Sequence, residues 1–186
     1  HHPHPEEAAV HRGGTAVLKG VGMACVLVGA VALGVQCVRR RQLEQAQLRQ
    51  FFTAFYGMER ELRCRSPDLA ELLEQAFRQT GGMVRQFFQA CQAALCQLDA
   101  HAFDEIWAEQ LTQTPFQLNP NAREAVRTVG TVLGRYDTDT QCRALRYAGE
   151  TLEAMWKTGE TTLRKRNQLS MTLSVAGGLL VLVLAC

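Results

Sequence analysis

The chain has 186 residues, 47% of them hydrophobic and 20% charged, with a net charge of +2 at neutral pH. That length holds one domain plus membrane segments. The net charge is too small to imply nucleic acid, and no Lys/Arg run is longer than three. The apolar residues gather at the two ends, while the middle is charged and amphipathic. None of the seven cysteines (Cys25, Cys37, Cys64, Cys91, Cys96, Cys142 and Cys186) belongs to a CxxC pair. They read as mostly reduced packing residues, which suits a cytoplasmic middle domain.

In chain order, His1–Gly14 has no apolar period. It reads as upstream sequence, a disordered tail outside the fold. Residues 15–38 come next with a single charge, Lys19, and are expected to form a first transmembrane helix. Ala30-Val31-Ala32 would fit a signal-peptide cleavage site. The run is too long for a typical signal core, however, and Arg39-Arg40-Arg41 directly after it opposes export of the downstream chain. With Arg164-Lys165-Arg166 at the other border, the positive-inside rule places residues 39–168 in the cytoplasm.

The middle region shows helical periods and no strand-like alternation. Leu48, Phe51, Phe55, Met58 and Leu62 form a stripe on a helix expected to continue directly from the first span. Ser66-Pro67 should end it and start the next, with Ser66 as N-cap and Pro67 at the first helical position. Leu69, Leu72, Leu73, Ala76 and Phe77 mark the second helix, which Gly81-Gly82 terminates. The third, about 83–98, buries Val84, Phe87, Phe88, Cys91 and Leu95. Asp99 and Phe103 open a short fourth helix carrying Ile106, Trp107 and Leu111, and Thr114-Pro115 breaks it. Asn119-Pro120 begins a fifth, with Ala122, Val126, Val129 and Leu133 inward and Gly134 as its stop.

The sixth helix is the long one. A capping box of Thr138 and Gln141 is expected at its start, with Asp137 and Asp139 favouring the N-terminal dipole. Cys142, Leu145, Gly149, Leu152, Trp156, Gly159 and Leu163 then make a seam for the first helix, antiparallel to it. No proline interrupts the run from Thr140 onward, so the helix should continue into a second span over residues 169–186, which is uncharged. Ser170, Ser174 and Gly178 recur at spacings of four and would allow close packing between membrane helices, as Ala30 and Gly34 would in the first span. The expected fold is all-α, about six helices between two transmembrane helices.

Signatures of catalysis are missing: there is no phosphate-binding glycine loop, no G-x-S-x-G and no HExxH. His101 stands alone beyond the N-terminal tail, and Glu105 and Glu109 read as a solvated helix face rather than an acid–base pair. Asp137 and Asp139 are too few for a metal site and read as capping residues, with docking as a second role for their exposed loop. Neither a cofactor nor a small-molecule substrate is indicated. The chain is not expected to be an enzyme.

Leu133-Gly134-Arg135-Tyr136-Asp137-Thr138-Asp139-Thr140-Gln141 fits the pattern LG-x-x-D-x-x-x-Q. It precedes a long amphipathic helix, a basic cluster and an apolar end containing Gly177-Gly178. This order resembles the stage III sporulation protein AB family of endospore-forming bacteria, and the FDEIWAEQL stretch around Trp107 fits it too. Residues 59–69 keep the family's Glu pair and Pro but lack its Tyr and intact turn. The resemblance implies a helical domain similar to the F-type platform proteins of type II secretion and type IV pilus machines. It further implies a structural part in the channel complex between mother cell and forespore, in the mother-cell membrane. The implied partners are other stage III A-operon proteins, including a secretion-type ATPase. Leu133, Gly134, Asp137 and Gln141 are the candidate docking turn, and Arg39–Arg41 and Arg164–Arg166 the membrane border. A membrane-anchored helical adaptor, or a secretion or pilus platform protein, unrelated to sporulation is the alternative.

Overall fold

A computed structural model describes residues 7–97 and 103–185. Six α-helices and no strands occur among them: α1 (Glu7–Arg65), α2 (Leu69–Gln79), α3 (Gly82–Gln97), α4 (Phe103–Gln113), α5 (Pro120–Val132) and α6 (Thr138–Ala185). Asp99 and His101 lie outside the described residues. The all-helical class and the direct run of the first apolar segment into the Leu48–Leu62 stripe match expectation. α1 begins at Glu7, inside the stretch read as a tail.

The chain divides into two units, residues 1–42 and 43–186. In the first, the side chains of Val17, Leu18, Met23 and Val26 are more than half exposed. The helix they belong to carries an 18-residue window with a mean hydropathy of 2.2, none of it buried in the protein. Among the described residues this is the one helix long and apolar enough to cross a bilayer. A second span over residues 169–186 is therefore not established. The surroundings of Ser170, Ser174 and Gly178 lie outside the described side chains.

The second unit is a helical bundle with an aromatic centre. Phe51 of α1 is fully buried and meets Phe87 of α3 and Phe116 at ring-centroid distances of 5.8 and 5.2 Å. Trp107 of α4 lies edge-on to Phe87 at 4.8 Å. Such offset and edge contacts stabilise beyond area burial alone. The apolar stripes expected for α2, α3 and α5 supply most of the rest: Leu72, Leu73, Val84, Cys91, Val126 and Val129 are buried. Of the six cysteines described, Cys91 and Cys142 are buried and the other four exposed. Only two are therefore packing residues.

α6 runs antiparallel to α1, and the expected seam is the contact. Stepping up α6 and down α1, Cys142 Sγ donates to the Glu59 carbonyl at 3.8 Å, and Arg146 reaches the Glu59 carboxylate at 2.6 Å. Glu153 accepts from the Tyr56 hydroxyl at 2.7 Å, and Trp156 packs on Phe52 with ring centroids 5.7 Å apart. A Cβ on Gly149 would sit 2.7 Å from the Tyr56 ring, and one on Gly159 2.0 Å from the Gln45 amide. The two glycines let the helices approach.

Three polar residues of α1 bind the loops at one end of the bundle. Glu44 accepts from the Asn119 side-chain amide (3.1 Å), Gln47 from the Gln117 N–H (2.8 Å) and Gln50 from the Gly81 N–H (2.9 Å). Loop donors that a helix face would otherwise strand away from water are satisfied in this way.

Ser66 as a cap and the Thr138–Gln141 box are corrected, while capping by Asp137 is as expected. Ser66 does not cap α2. It takes φ 46°, and its hydroxyl donates back to Leu62 O at 3.2 Å. Asp68 is the cap, its carboxylate accepting from Glu71 N at 2.7 Å. Pro67 bars the right-handed helical conformation at Ser66, so α1 stops there and the cap moves past the proline. At α6 the cap is Asp137 rather than a Thr138–Gln141 box, because Gln141 is drawn to the turn before the helix.

Glu59 is the buried charge of the seam, 7% exposed. Burial works to raise its carboxyl, but hydrogen bonds from Arg146 and Arg63 outweigh that and hold it below the ordinary carboxylate range. A group lowered on folding contributes stability above its unfolded pKa and loses it as pH falls through the folded one. Glu59→Gln in the detergent-solubilised full chain should cost about 1.5–3 kcal/mol at neutral pH and flatten the acid limb of the unfolding midpoint against pH. An unchanged acid limb in that variant would dismiss Glu59 as its source.

Candidate functional site

The α5–α6 turn is built by a chain of specific backbone choices. α5 starts at Asn119, whose side chain accepts from Ala122 N at 2.8 Å, with Pro120 at the first helical position. It ends at Leu133, which is buried and donates its N–H to Val129 O at 3.1 Å. Gly134 comes next with φ 71°, a left-handed conformation that glycine adopts without steric penalty. A Cβ there would also come within 2.9 Å of Leu69. Both reasons require glycine.

Gln141 then closes the turn. Its Oε1 accepts from Gly134 N at 3.1 Å and its Nε2 donates to Tyr136 O at 2.6 Å. Asp137 caps the first turn of α6 with one oxygen on Thr140 N at 3.0 Å and the other on the Thr140 hydroxyl at 2.7 Å. These bonds to Thr140 hold the Asp137 carboxyl below its usual range. Leu133, Gly134, Asp137 and Gln141 are thus brought into one hydrogen-bonded turn. With both oxygens committed to the cap, Asp137 is a structural anchor rather than half of a cation site with Asp139.

Arg135 and Tyr136 project from this turn, Tyr136 with 54% of its surface exposed. Beside it lies a cleft of about 310 Å³ lined by Phe103, Asp104, Gly130, Thr131, Leu133, Gly134 and Arg135. Arg135 reaches across to Asp104 at 3.7 Å. Beneath, the Trp107 indole lies on Gly130 and donates to Val126 O at 2.8 Å. The FDEIWAEQL stretch pointed to Trp107, and Phe103 was expected to open its helix, but Gly130 was not picked out by sequence, nor was a contact of Asp104 with Arg135. A glycine inside α5, where it lowers helix propensity, was the available signal. Glu105 and Glu109 share no acid–base partner among the described residues, and Glu109 accepts from Gln113.

Of the border residues, Arg39–Arg41 are exposed on α1 and Arg164–Arg166 on α6, with Arg164 paired to Glu160 at 3.0 Å. Among the described residues, no group of three or more His, Cys, Asp or Glu side chains converges as a metal site would require.

Gly134→Ala should destabilise by about 1–2 kcal/mol through its left-handed backbone and speed amide exchange across residues 133–141. Unchanged exchange would refute the turn's dependence on Gly134. Gly130→Ala puts a methyl 2.2 Å from Trp107 Cδ1. It should cost about 1–3 kcal/mol and shift tryptophan emission, and Trp107→Phe in the same chain should recover part of the loss. No recovery would show that the indole is not what Gly130 accommodates.

A family model described as stage III sporulation protein AB matches residues 19–186. A solved structure of stage III sporulation protein AB (SpoIIIAB) is similar with a TM-score of 0.59 at 22% identity, covering 66% of this chain and 98% of that one; this likeness bears on the fold. No curated protein matches. The chain belongs to the stage III sporulation protein AB family.

Proposed function

We propose that this chain is a membrane-anchored, non-catalytic assembly component of the channel complex between mother cell and forespore. Its helical bundle faces the mother-cell cytoplasm, with the apolar part of α1 and the end of α6 as transmembrane anchors. The match of the family model over residues 19–186 carries this reading, because it takes in both apolar ends as well as the bundle. The mechanism is positional. The anchors hold the bundle at the membrane, and the α5–α6 turn offers Arg135 and Tyr136 to other stage III A-operon proteins, the secretion-type ATPase among them. Exposed tyrosine and arginine are the residue types that most often dominate protein interfaces.

Deleting the gene in its own host should abolish spore formation. A Tyr136→Ala/Arg135→Ala chain should still accumulate in the membrane yet restore spore numbers poorly. Normal sporulation in the deletion strain would end this reading, and full rescue by the double variant would remove the turn from it. Topology can be read from Cys64 and Cys96, which are exposed. Cys91 is a poor probe, because burial pushes its thiol up to about 12. A membrane-impermeant maleimide should label Cys64 and Cys96 only after lysis. Labelling from outside intact cells would contradict the cytoplasmic placement.

A further inference from the structure

The two ends of the bundle differ in charge. At the end where Gln45 meets Gly159, the α2–α3 turn and the α4–α5 loop are tied to α1 through Gln50, Gln47 and Glu44. No carboxylate occurs between Glu74 and Asp99, or between Glu109 and Glu124, so both of these loops are free of acid. Arg49 and Arg85, at the level of these loops, are exposed and make no ion pair among the described residues. At the other end, Glu59, Glu61, Asp68, Glu71, Asp104, Asp137 and Asp139 stand among Arg60, Arg63, Arg65, Arg135, Arg143 and Arg146, and several of them are ion-paired, so that end is close to neutral.

α6 leaves the bundle at the end of these two loops, where the two nearby carboxylates are already engaged, Glu44 by Asn119 and Glu160 by Arg164. Beyond Gly159 it passes through Arg164, Lys165 and Arg166, all exposed, and then presents Leu169, Met171 and Leu173, each more than 60% exposed. An uncharged apolar extension, a basic collar and an acid-free loop surface therefore succeed one another along the same direction.

We propose that this end of the bundle, with Arg49, Arg85, Lys165 and Arg166, docks on the anionic phospholipid headgroups of the membrane. The proposal rests on the membrane anchoring proposed for the chain and adds to it a contact made by the folded domain itself. A neutral or acidic loop surface would gain nothing from an anionic leaflet. One whose loops carry no carboxylate, whose neighbouring Glu44 and Glu160 are already bound, and which presents unpaired arginines is attracted to it, and the attraction decays within a Debye length. The loops bound to Glu44, Gln47 and Gln50 are then held against the headgroups rather than free above them, which fixes the tilt of the bundle.

The test uses the full chain in nanodiscs of phosphatidylcholine, either alone or with about a third phosphatidylglycerol, followed by hydrogen–deuterium exchange. Exchange over residues 80–85 and 114–121 should slow roughly five-fold or more in the anionic discs and return toward the neutral value in about 0.5 M salt. Arg49→Gln/Arg85→Gln should lose most of the slowing, while Arg60→Gln, at the opposite end, should keep it. Equal exchange in both discs would overturn the headgroup contact while leaving the anchoring intact. Slowing that persists in the arginine variant, or that needs an added protein partner, would overturn it as well. Failure of the chain to remain in discs of either composition would remove the anchoring and this contact together.

Discussion

The antiparallel contact between α1 and α6 is the constraint to which the other helices of the bundle conform. Glycines at 149 and 159 bring the two backbones close, with Tyr56 and Gln45 lying where side chains would otherwise stand. Register is set by directional groups, the Glu59–Arg146 pair and the Tyr56–Glu153 hydrogen bond. Apolar surface tolerates sliding by a helical turn, whereas a buried carboxylate left without its arginine does not. Glu153 in turn is held in its ionised form by Lys157 and Tyr56. The seam is locked at several levels by charge and hydrogen bonding.

The remaining helices then have few choices. α5 packs on α6, α4 on α5, and α3 on both α2 and α4. Phe51 reaches into the space they enclose. The α2–α3 and α4–α5 loops end on side chains of α1, so α1 acts as both wall and fastening. Arg123 performs a similar service at the end of α4, donating to Leu111 O at 2.8 Å and to Phe116 O at 3.3 Å. A buried polar group with a partner costs little, and here each partner also fixes where a loop must go.

Much of this was legible in sequence because helix stripes report burial directly. Leu48, Phe51, Phe55 and Met58 needed only their spacing to be read as core, and Asn119-Pro120 announced a helix start whose geometry is as expected. The cap of α2 was misread, whereas at α6 Asp137 was rightly read as a capping residue and only the Thr138–Gln141 box was misplaced. Ser66, Asp68, Asp137 and Thr138 are all competent caps, and residue type alone cannot choose between neighbours. The choice fell to Pro67 in one case and to the Gly134–Gln141 bond in the other. Glu59 and Gln47 were invisible for a different reason. Each sits beside the apolar stripe, and whether such a residue is solvated or buried depends on a partner tens of residues away. The cleft by Gly134 escaped because Asp104 and Gly130 meet only in space.

α6 is 48 residues without a break, and that continuity ties together surfaces that never touch. Successive residues of an α-helix turn by about 100°. The face that carries Gly149 and Gly159 and the face that carries Leu169 and Leu173 therefore stand at a rotational offset set only by the number of residues between them. One residue inserted at Asn167 would leave every contact of the bundle intact and yet swing the apolar end by more than a quarter of a turn. Helical phase is thus a property of this chain as definite as any hydrogen bond. A neighbour gripping one end and a neighbour gripping the other are held at a fixed angle by counting alone.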